Sequence, residues 1–441
     1  MFGAELRRRR QEAGMTLEEL NRRVHFSKSH LSKVETGAKN PSQDLVRACD
    51  AALGADGRLA ALAPVTTAER ADQADRADQA EPPSVDQEVW LMSMTPSGET
   101  GFAGMDRRTA LSLSALGVLG AGLGSGAAPD RPGGEASGDA QPALASFRVQ
   151  LGELRNMGQH VAPSMVFPIA AVQTNALRQL ARSAPPAQRK AALRLAARFA
   201  EYAGWMAQES GAEQRALWWT DTAVSLAGAG DDSEMGEYAL VRRALMTMYA
   251  HDGPQTVALA QRAQRGRASS PRVLGLAAKR EAQGHALVGD LVSCERSLER
   301  AREHLAADRA TRGDSEAGGP EILGSRNVSD PVGVTRGWCL VDLGRVEEAA
   351  AILDQECASL PGSAVRARTR FGVRRALAHA LSGEVENSCE IATELLPEGK
   401  GVDSATVRLD LRRLHQTLAR HHGHRSVREL SPTLVTALSA V

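Results

Sequence analysis

Apolar residues recur every three to four positions wherever this chain is patterned at all, and that spacing predicts helices rather than strands. Near the start, Leu17, Leu20 and Val24 fall on one side of a helix, and Leu31 and Val34 fall on one side of the next. Thr16 with Glu19 three residues later predicts a capping box for the first of them. Ser27 predicts the cap of the second, and Gly37 a left-handed stop after Thr36. Asn21 must find a partner or reach solvent, because burying an unpaired amide costs about 1–3 kcal/mol. Two further helices are expected from about 42 to 53 and from 56 to 62, ending before Pro64.

A second pattern runs from about Gln141 to the end as helical hairpins. Glycines expected at turns stand at Gly211, Gly253, Gly289, Gly344 and Gly383, spaced 42, 36, 55 and 39 residues apart. Five positions after each comes Ala216, Ala258, Cys294, Ala349 or Ser388; seven before each comes Gly204, Met246, Ala282, Gly337 or Ala376. Small side chains at both offsets let two helices cross closely, and the glycine lets the chain reverse. The long interval holds a polar, Gly-rich stretch from about Ala306 to Pro331, expected as an insert. Residues 141–200 are expected to add two or three helices before the first clear copy. Trp205, Trp218, Trp219 and Trp338 are expected in the cores of helix pairs, since aromatic rings dominate buried area.

Length and composition agree with this picture. The chain has 441 residues, more than one hydrophobic core usually serves, and its aromatics amount to 3%. Formal net charge is zero, but the charge is segregated. Residues 1–63 carry eleven Lys and Arg against eight Asp and Glu, whereas residues 64–106 carry two against nine. A mildly basic head beside an acidic tether suits a specific binder of nucleic acid better than an indiscriminate polycation. The cysteines (Cys49, Cys294, Cys339, Cys357, Cys389) are odd in number and lack a C-x-x-C, so buried free thiols in a reducing cytoplasm are expected. No signal peptide is expected, as Phe2 to Arg10 leads directly into the first helix.

Lys28, Ser29, Ser32 and Lys33 fall on the face of the Ser27 helix turned away from its apolar side. Cations and short hydroxyls on an exposed helix suit the major groove of DNA, where they meet phosphates and base edges. The run R-x-x-x-G-M-T-L-E-E-L, then S-K-S-H-L-S-K-V-E-T-G and N-P-S, resembles the Cro/repressor-type (XRE) helix-turn-helix domain over roughly the first 64 residues. The family's small Ala is replaced here by Asn21, and its corner Gly by His25, so the resemblance implies a positive φ at His25, which His tolerates better than branched residues do. The resemblance implies a five-helix head in which Lys28, Ser29 and Lys33 face bases and Arg7, Arg10, Thr36 and Lys39 hold phosphates. Ser27 would do both jobs, since a helix N-terminus also attracts a phosphate, and double-stranded DNA would be the partner.

The hairpins resemble degenerate tetratricopeptide repeats, best in GWMAQESGAEQRALWWTDTA and GWCLVDLGRVEEAAAIL. Head and array together resemble peptide-responsive regulators of Gram-positive bacteria and actinobacterial regulators of the same layout. The expected fold is therefore all-α: a helix-turn-helix domain over 1–64, an acidic and Gly-rich linker with a short apolar helix over 65–140, and a TPR-like solenoid over 141–441. The expected function is a cytoplasmic, homodimeric transcriptional regulator whose concave groove takes a peptide, small effector or protein. The alternatives are an interaction scaffold with a vestigial head, or a membrane-tethered regulator held by residues 109–128.

Three other signals carry less. Asp106 to Pro129 resembles a twin-arginine export signal, but it is internal and glycine-rich, so a helix from Thr109 to about Leu119 and a tether are expected and a membrane partner is not. Its GLGSGA is followed by PDRPGG, not by a helix, and so fails as a dinucleotide fingerprint. His415, His421, His422 and His424 lack further ligands at metal spacing, and no catalytic constellation is visible, so neither a metal, a cofactor nor an enzyme activity is expected.

Overall fold

A computed structural model describes residues 2–39, 41–55, 57–59, 62, 88–94, 100–106, 140–266, 269–316, 321–325, 327–399 and 403–439. The spacer repeat that follows Pro64, and the sequence from Arg107 to Gly138 with its expected helix and Gly-rich run, lie outside them. No helix among the described residues is long and apolar enough to cross a membrane.

The head comprises α1 (Phe2–Glu12), α2 (Leu17–Val24), α3 (Lys28–Glu35) and α4 (Gln43–Ala52). Both arms of the Thr16–Glu19 capping box form, Ser27 accepts from the His30 amide, and Ser42 accepts from the Leu45 amide. Leu6, Leu20, Phe26, Leu31, Leu45 and Cys49 close the core beneath these helices. The expected fifth helix is a turn at the residues described there. Gly54 and Gly57 adopt φ of 57° and 82°, and the Asp50 carboxylate accepts from the Gly57 and Leu59 amides at 2.6 and 2.8 Å. Those side-chain bonds take the amides that a helical turn would have used.

The expectation of a wholly helical chain is corrected at one place. β1 (Glu88–Met94) and β2 (Thr100–Asp106) pair antiparallel, with Glu88 opposite Asp106 and Met94 opposite Thr100. EVWLMSM and TGFAGMD are short, hold the valine and aromatics that suit strands, and flank the turn-forming run TPSGE.

Among the described residues, fourteen α-helices follow from residue 141: α5 (Gln141–Met157), α6 (Pro163–Ser183), α7 (Pro186–Glu209), α8 (Glu213–Ala229), α9 (Glu234–Tyr249), α10 (Gly253–Arg265), α11 (Pro271–Leu287), α12 (Leu291–Glu316), α13 (Pro331–Asp342), α14 (Val346–Ala358), α15 (Val365–Leu381), α16 (Val385–Gly399), α17 (Ala405–Leu418) and α18 (Arg425–Ser439). Most helices pack on the next in sequence, and α9, α11, α13, α15 and α17 also pack one on another as an inner row. The pairing rule holds where Gly204 meets the Ala216 turn of α8: a β-carbon on Gly204 would stand 3.3 Å from the Ala216 carbonyl.

Gly211, Gly289, Gly344 and Gly383 all adopt positive φ, as turn glycines should. Gly253 does not. It opens α10, and the left-handed corner is His251, with φ of 59°. The register of that pair therefore lies two residues earlier than the glycine spacing implied. The small buried partners are Ala244 and Thr256, while Ala258 is exposed. His251 stands 40 residues after Gly211 and 38 before Gly289, so the period is more even than the glycines alone suggest.

The insert is also re-read. Its first part continues α12 to Glu316, and residues 321–325 pack back against α5, α7 and α11. Ile322 and Leu323 are buried there, and three arginines grip the backbone: Arg155 the Ile322 carbonyl, Arg198 the Glu321 carbonyl, Arg272 the Leu323 carbonyl.

At the end of the inner row, α17 also touches α7. Buried Glu209, at the end of α7, accepts from Arg366 of α15 at 3.0 Å and from Ser404 and Thr406 at the start of α17 at 2.6 and 3.0 Å. Trp338 lies at the centre, edge-on to Tyr249 and Phe371 and beneath the Arg374 guanidinium, 3.7 Å from the ring centre. The space left beside Trp338, Tyr249 and Asp410 is about 10 Å³. That is the size of one water, so a peptide groove is not formed at this point. The four tryptophans lie within helix packing as expected, Trp219 and Trp338 fully and Trp205 and Trp218 partly buried. All five thiols are free; Cys357 alone is half-buried and the others are buried.

Candidate nucleic-acid interface

The corner between α2 and α3 is built by His25 at φ 51°, whose amide bonds back to the Asn21 carbonyl at 2.8 Å. Asn21 itself is half-exposed, so its amide reaches water and costs nothing in the core. Phe26, one residue after the corner, is buried against His30 edge-on at 5.7 Å. These contacts fix the angle at which α3 leaves the head.

Helix α3 buries Leu31, Val34 and Glu35 and turns Lys28, Ser29 and Lys33 outward. Ser27 is exposed at its N-terminus, where unpaired amides favour an anion. Ser32 is half-buried. Thr36 and Lys39 are exposed just beyond the helix, and the Thr36 hydroxyl donates to the Ser32 and Lys33 carbonyls. Arg7 is exposed on α1. Lys28 lies 3.7 Å from Glu18, but both are well exposed, so water weakens the pair and a stronger anion can displace it.

Arg10 departs from the expected set. It is buried, and its guanidinium forms two bonds to Glu35, at 2.6 and 3.0 Å, and one to the Met15 carbonyl at 2.7 Å. Tied in this way beneath α3, it cannot hold a phosphate. Its work is to lock α1 to the end of α3. The Glu35 carboxylate raises the Arg10 pKa above its ordinary value.

Sequence reasoning did not foresee that the head is seated on the helical array. Arg47 of α4 donates to Asp342 of α13 at 3.0 Å and lies 3.3 Å from Nδ1 of His251. Asp342 is buried beneath three guanidinium groups, since Arg374 and Arg413 reach it at 2.9 and 3.2 Å. Those cations hold its carboxyl far below the usual range despite the cost of burial. The His251 pKa is also lowered, to about 4, because the ring is buried and faces Arg47. It is therefore neutral at pH 7 and accepts from Arg47 rather than repelling it.

Three of the array's turn glycines receive the head. Gly289 approaches Gly57 so closely that a β-carbon there would lie 2.8 Å from the Gly57 α-carbon. Gly344 sits under the Arg47 carbonyl, and Gly383 lies beneath the His25 ring. Arg420 covers the Phe26 ring from the other side at 3.9 Å. The one signal in the sequence was Arg47 and Asp50, polar residues among the apolar positions of α4. Both are buried, Asp50 to fold the turn after α4 and Arg47 to reach Asp342.

Between head and array a cleft of about 470 Å³ remains, lined by Arg22, Arg23 and His25 on one wall and Arg345, Glu347 and Glu348 on the other. Docking leaves Lys28, Ser29 and Lys33 exposed.

Comparison with known proteins adds one match: residues 1–63 fit the family model described as a helix-turn-helix domain. No curated protein and no solved structure matches the chain. With the capped helices, the left-handed corner and the outward-facing α3 in place, the first 63 residues are a helix-turn-helix domain.

Proposed function

We propose that this chain is a sequence-specific transcriptional regulator of the Cro/repressor (XRE) type, dimeric and cytoplasmic, with no enzymatic step of its own. The observation that carries the reading is the exposed face of α3, where Lys28, Ser29 and Lys33 stand on a helix whose other side is locked into the head. Lys28 and Lys33 read base edges, Ser29 and Ser32 add hydroxyl contacts, and Arg7, Thr36, Lys39 and the Ser27 helix end hold phosphates. One small head makes few contacts, so two heads on half-sites about 34 Å apart, or a multiple of it, supply useful affinity.

The paired helices from α7 onward serve as a TPR-like array that seats the head and receives an effector or a second subunit. Support comes from the small residues at the helix crossings and from the Arg47–Asp342 contact between the two parts. An effector that shifts this contact changes how the heads are presented.

Mobility shifts with the promoter next to the gene test the reading. Lys28→Ala and Lys33→Ala each weaken specific binding by about 1–3 kcal/mol where the side chain makes a bidentate base contact. Arg7→Ala weakens binding to all sequences alike and flattens its salt dependence. Unchanged shifts for all three variants would overturn the assignment.

A further inference from the structure

The inner face holds more guanidinium groups than carboxylates: Arg366 and Arg370 share the single Glu209, at 3.0 and 2.5 Å, and a larger surplus stands beside them. Around the Tyr238 hydroxyl stand Arg155, Arg242 and Arg280 with one carboxylate, Glu201. Arg155 and Arg242 share that carboxylate at 3.7 Å each. Arg280, on α11, has no carboxylate within ion-pair reach among the described residues; its partner is the neutral Gln283 amide oxygen. Its Nε is buried without an acceptor, and so are the Nε atoms of Arg242 on α9 and Arg370 on α15. Arg242 is itself almost wholly buried. Three guanidinium groups from α9, α11 and α15, close enough for Arg242 and Arg370 both to act on Arg280, thus each keep one donor unused.

Burial of an unpaired cation is costly, and like charges placed together add to the cost. Arg280 records both: burial, with Arg370 and Arg242 nearby, brings its pKa down to about 10. A fold that only needed packing here would be more stable with apolar side chains. Planar guanidinium forks are instead what recognises phosphate and carboxylate oxygens. Arg280 and Arg370 are half-buried rather than sealed, so this part of the inner face remains reachable, unlike the filled centre at Trp338.

We propose that Arg242, Arg280 and Arg370 form a binding site for a compact polyanion, a small phosphate- or carboxylate-bearing ligand. The anion supplies the hydrogen-bond acceptors that these three Nε groups lack and ties α9, α11 and α15 together. This deepens the effector part of the reading above. It is measured without DNA, so failure here leaves the DNA-binding assignment standing, and the reverse.

The test uses the full-length protein in a buffer free of multivalent anions. Thermal unfolding and calorimetric titration are run with sodium pyrophosphate and, separately, with citrate, against sodium chloride at equal ionic strength. At least one of the two raises Tm above the chloride control and binds saturably, and which one does so separates phosphate from carboxylate. Arg280→Gln lowers that affinity by about tenfold or more, as loss of a charge-assisted bond should. It leaves the Tm of the free protein unchanged or higher. Arg243→Gln, on the same helix as Arg242 but paired with Asp221 at 2.6 Å, leaves binding intact. If Arg280→Gln fails to fold, Arg280→Lys carries the comparison, with weakened binding expected because a point charge replaces the fork. The proposal falls if neither anion acts beyond the chloride control, if the Arg280 variant that folds binds like the parent, or if Arg243→Gln lowers affinity equally.

Discussion

Arg7 and Arg10 stand three residues apart on α1 and end in opposite surroundings. One is exposed, while the other is enclosed with Glu35 beneath α3. Substitution separates the two roles. Arg10→Ala leaves Glu35 buried and unpaired, which costs about 3–5 kcal/mol. In urea unfolding the midpoint of the head should therefore drop sharply for Arg10→Ala and hardly at all for Arg7→Ala. The distinction was partly legible, because Arg10 lies one turn beyond Leu6, on the apolar side of α1. Its partner was not, since Glu35 is 25 positions away and nothing local links them. Lys279 gives a second test at this scale. Burial, with Arg280 and Arg272 close by, lowers its pKa from 10.5 to about 7. Between pH 7 and 10.5 the unfolded chain holds a proton that the folded chain has released, so this residue's contribution to stability rises with pH across that window. Thermal melts at pH 7 and pH 9 should show a steeper rise for the parent protein than for Lys279→Met.

At the scale of helices and turns, legibility followed locality. The Thr16–Glu19 box, the Ser27 cap and the left-handed His25 depend on neighbours within a few residues, and they were read correctly from the sequence. The turn after α4 was missed because a carboxylate seven residues back takes its amides. The hairpin at 88–106 was missed because a short apolar run does not by itself declare its period. The second helix pair was misaligned by two residues because a left-handed histidine, not the nearby glycine, makes its corner. That last correction is directly testable. Ala258→Glu should leave thermal stability within about 0.5 kcal/mol, as for other surface changes. Thr256→Glu puts a carboxylate where Thr256 is fully buried and should destabilise the array by several kcal/mol, on the order expected for an unpaired buried charge. Equal effects of the two would restore the register implied by Gly253.

At the scale of the molecule, the docking of the head was not legible in the sequence. An acidic tether suggests freely moving heads and relaxed half-site spacing, whereas the Arg47–Asp342 contact fixes one orientation. The contact depends on His251 remaining neutral. Its pKa is about 4 when docked and near 6.5 when exposed to water, so the undocked protein binds the extra proton between those values. Docking is accordingly at full strength above about pH 6.5 and weakens as the pH falls toward 4. Hydrogen exchange of the α4 amides should speed up over that interval, and Arg47→Ala should show the faster exchange already at pH 7. The same variant bears on DNA. If docked heads are held at one separation, the parent protein should favour one half-site spacing. Arg47→Ala, with its heads released onto the tether, should bind a series of altered spacings with more nearly equal affinity while its affinity for a single half-site is unchanged. A spacing preference as sharp in Arg47→Ala as in the parent would place the control of head separation elsewhere than at Asp342.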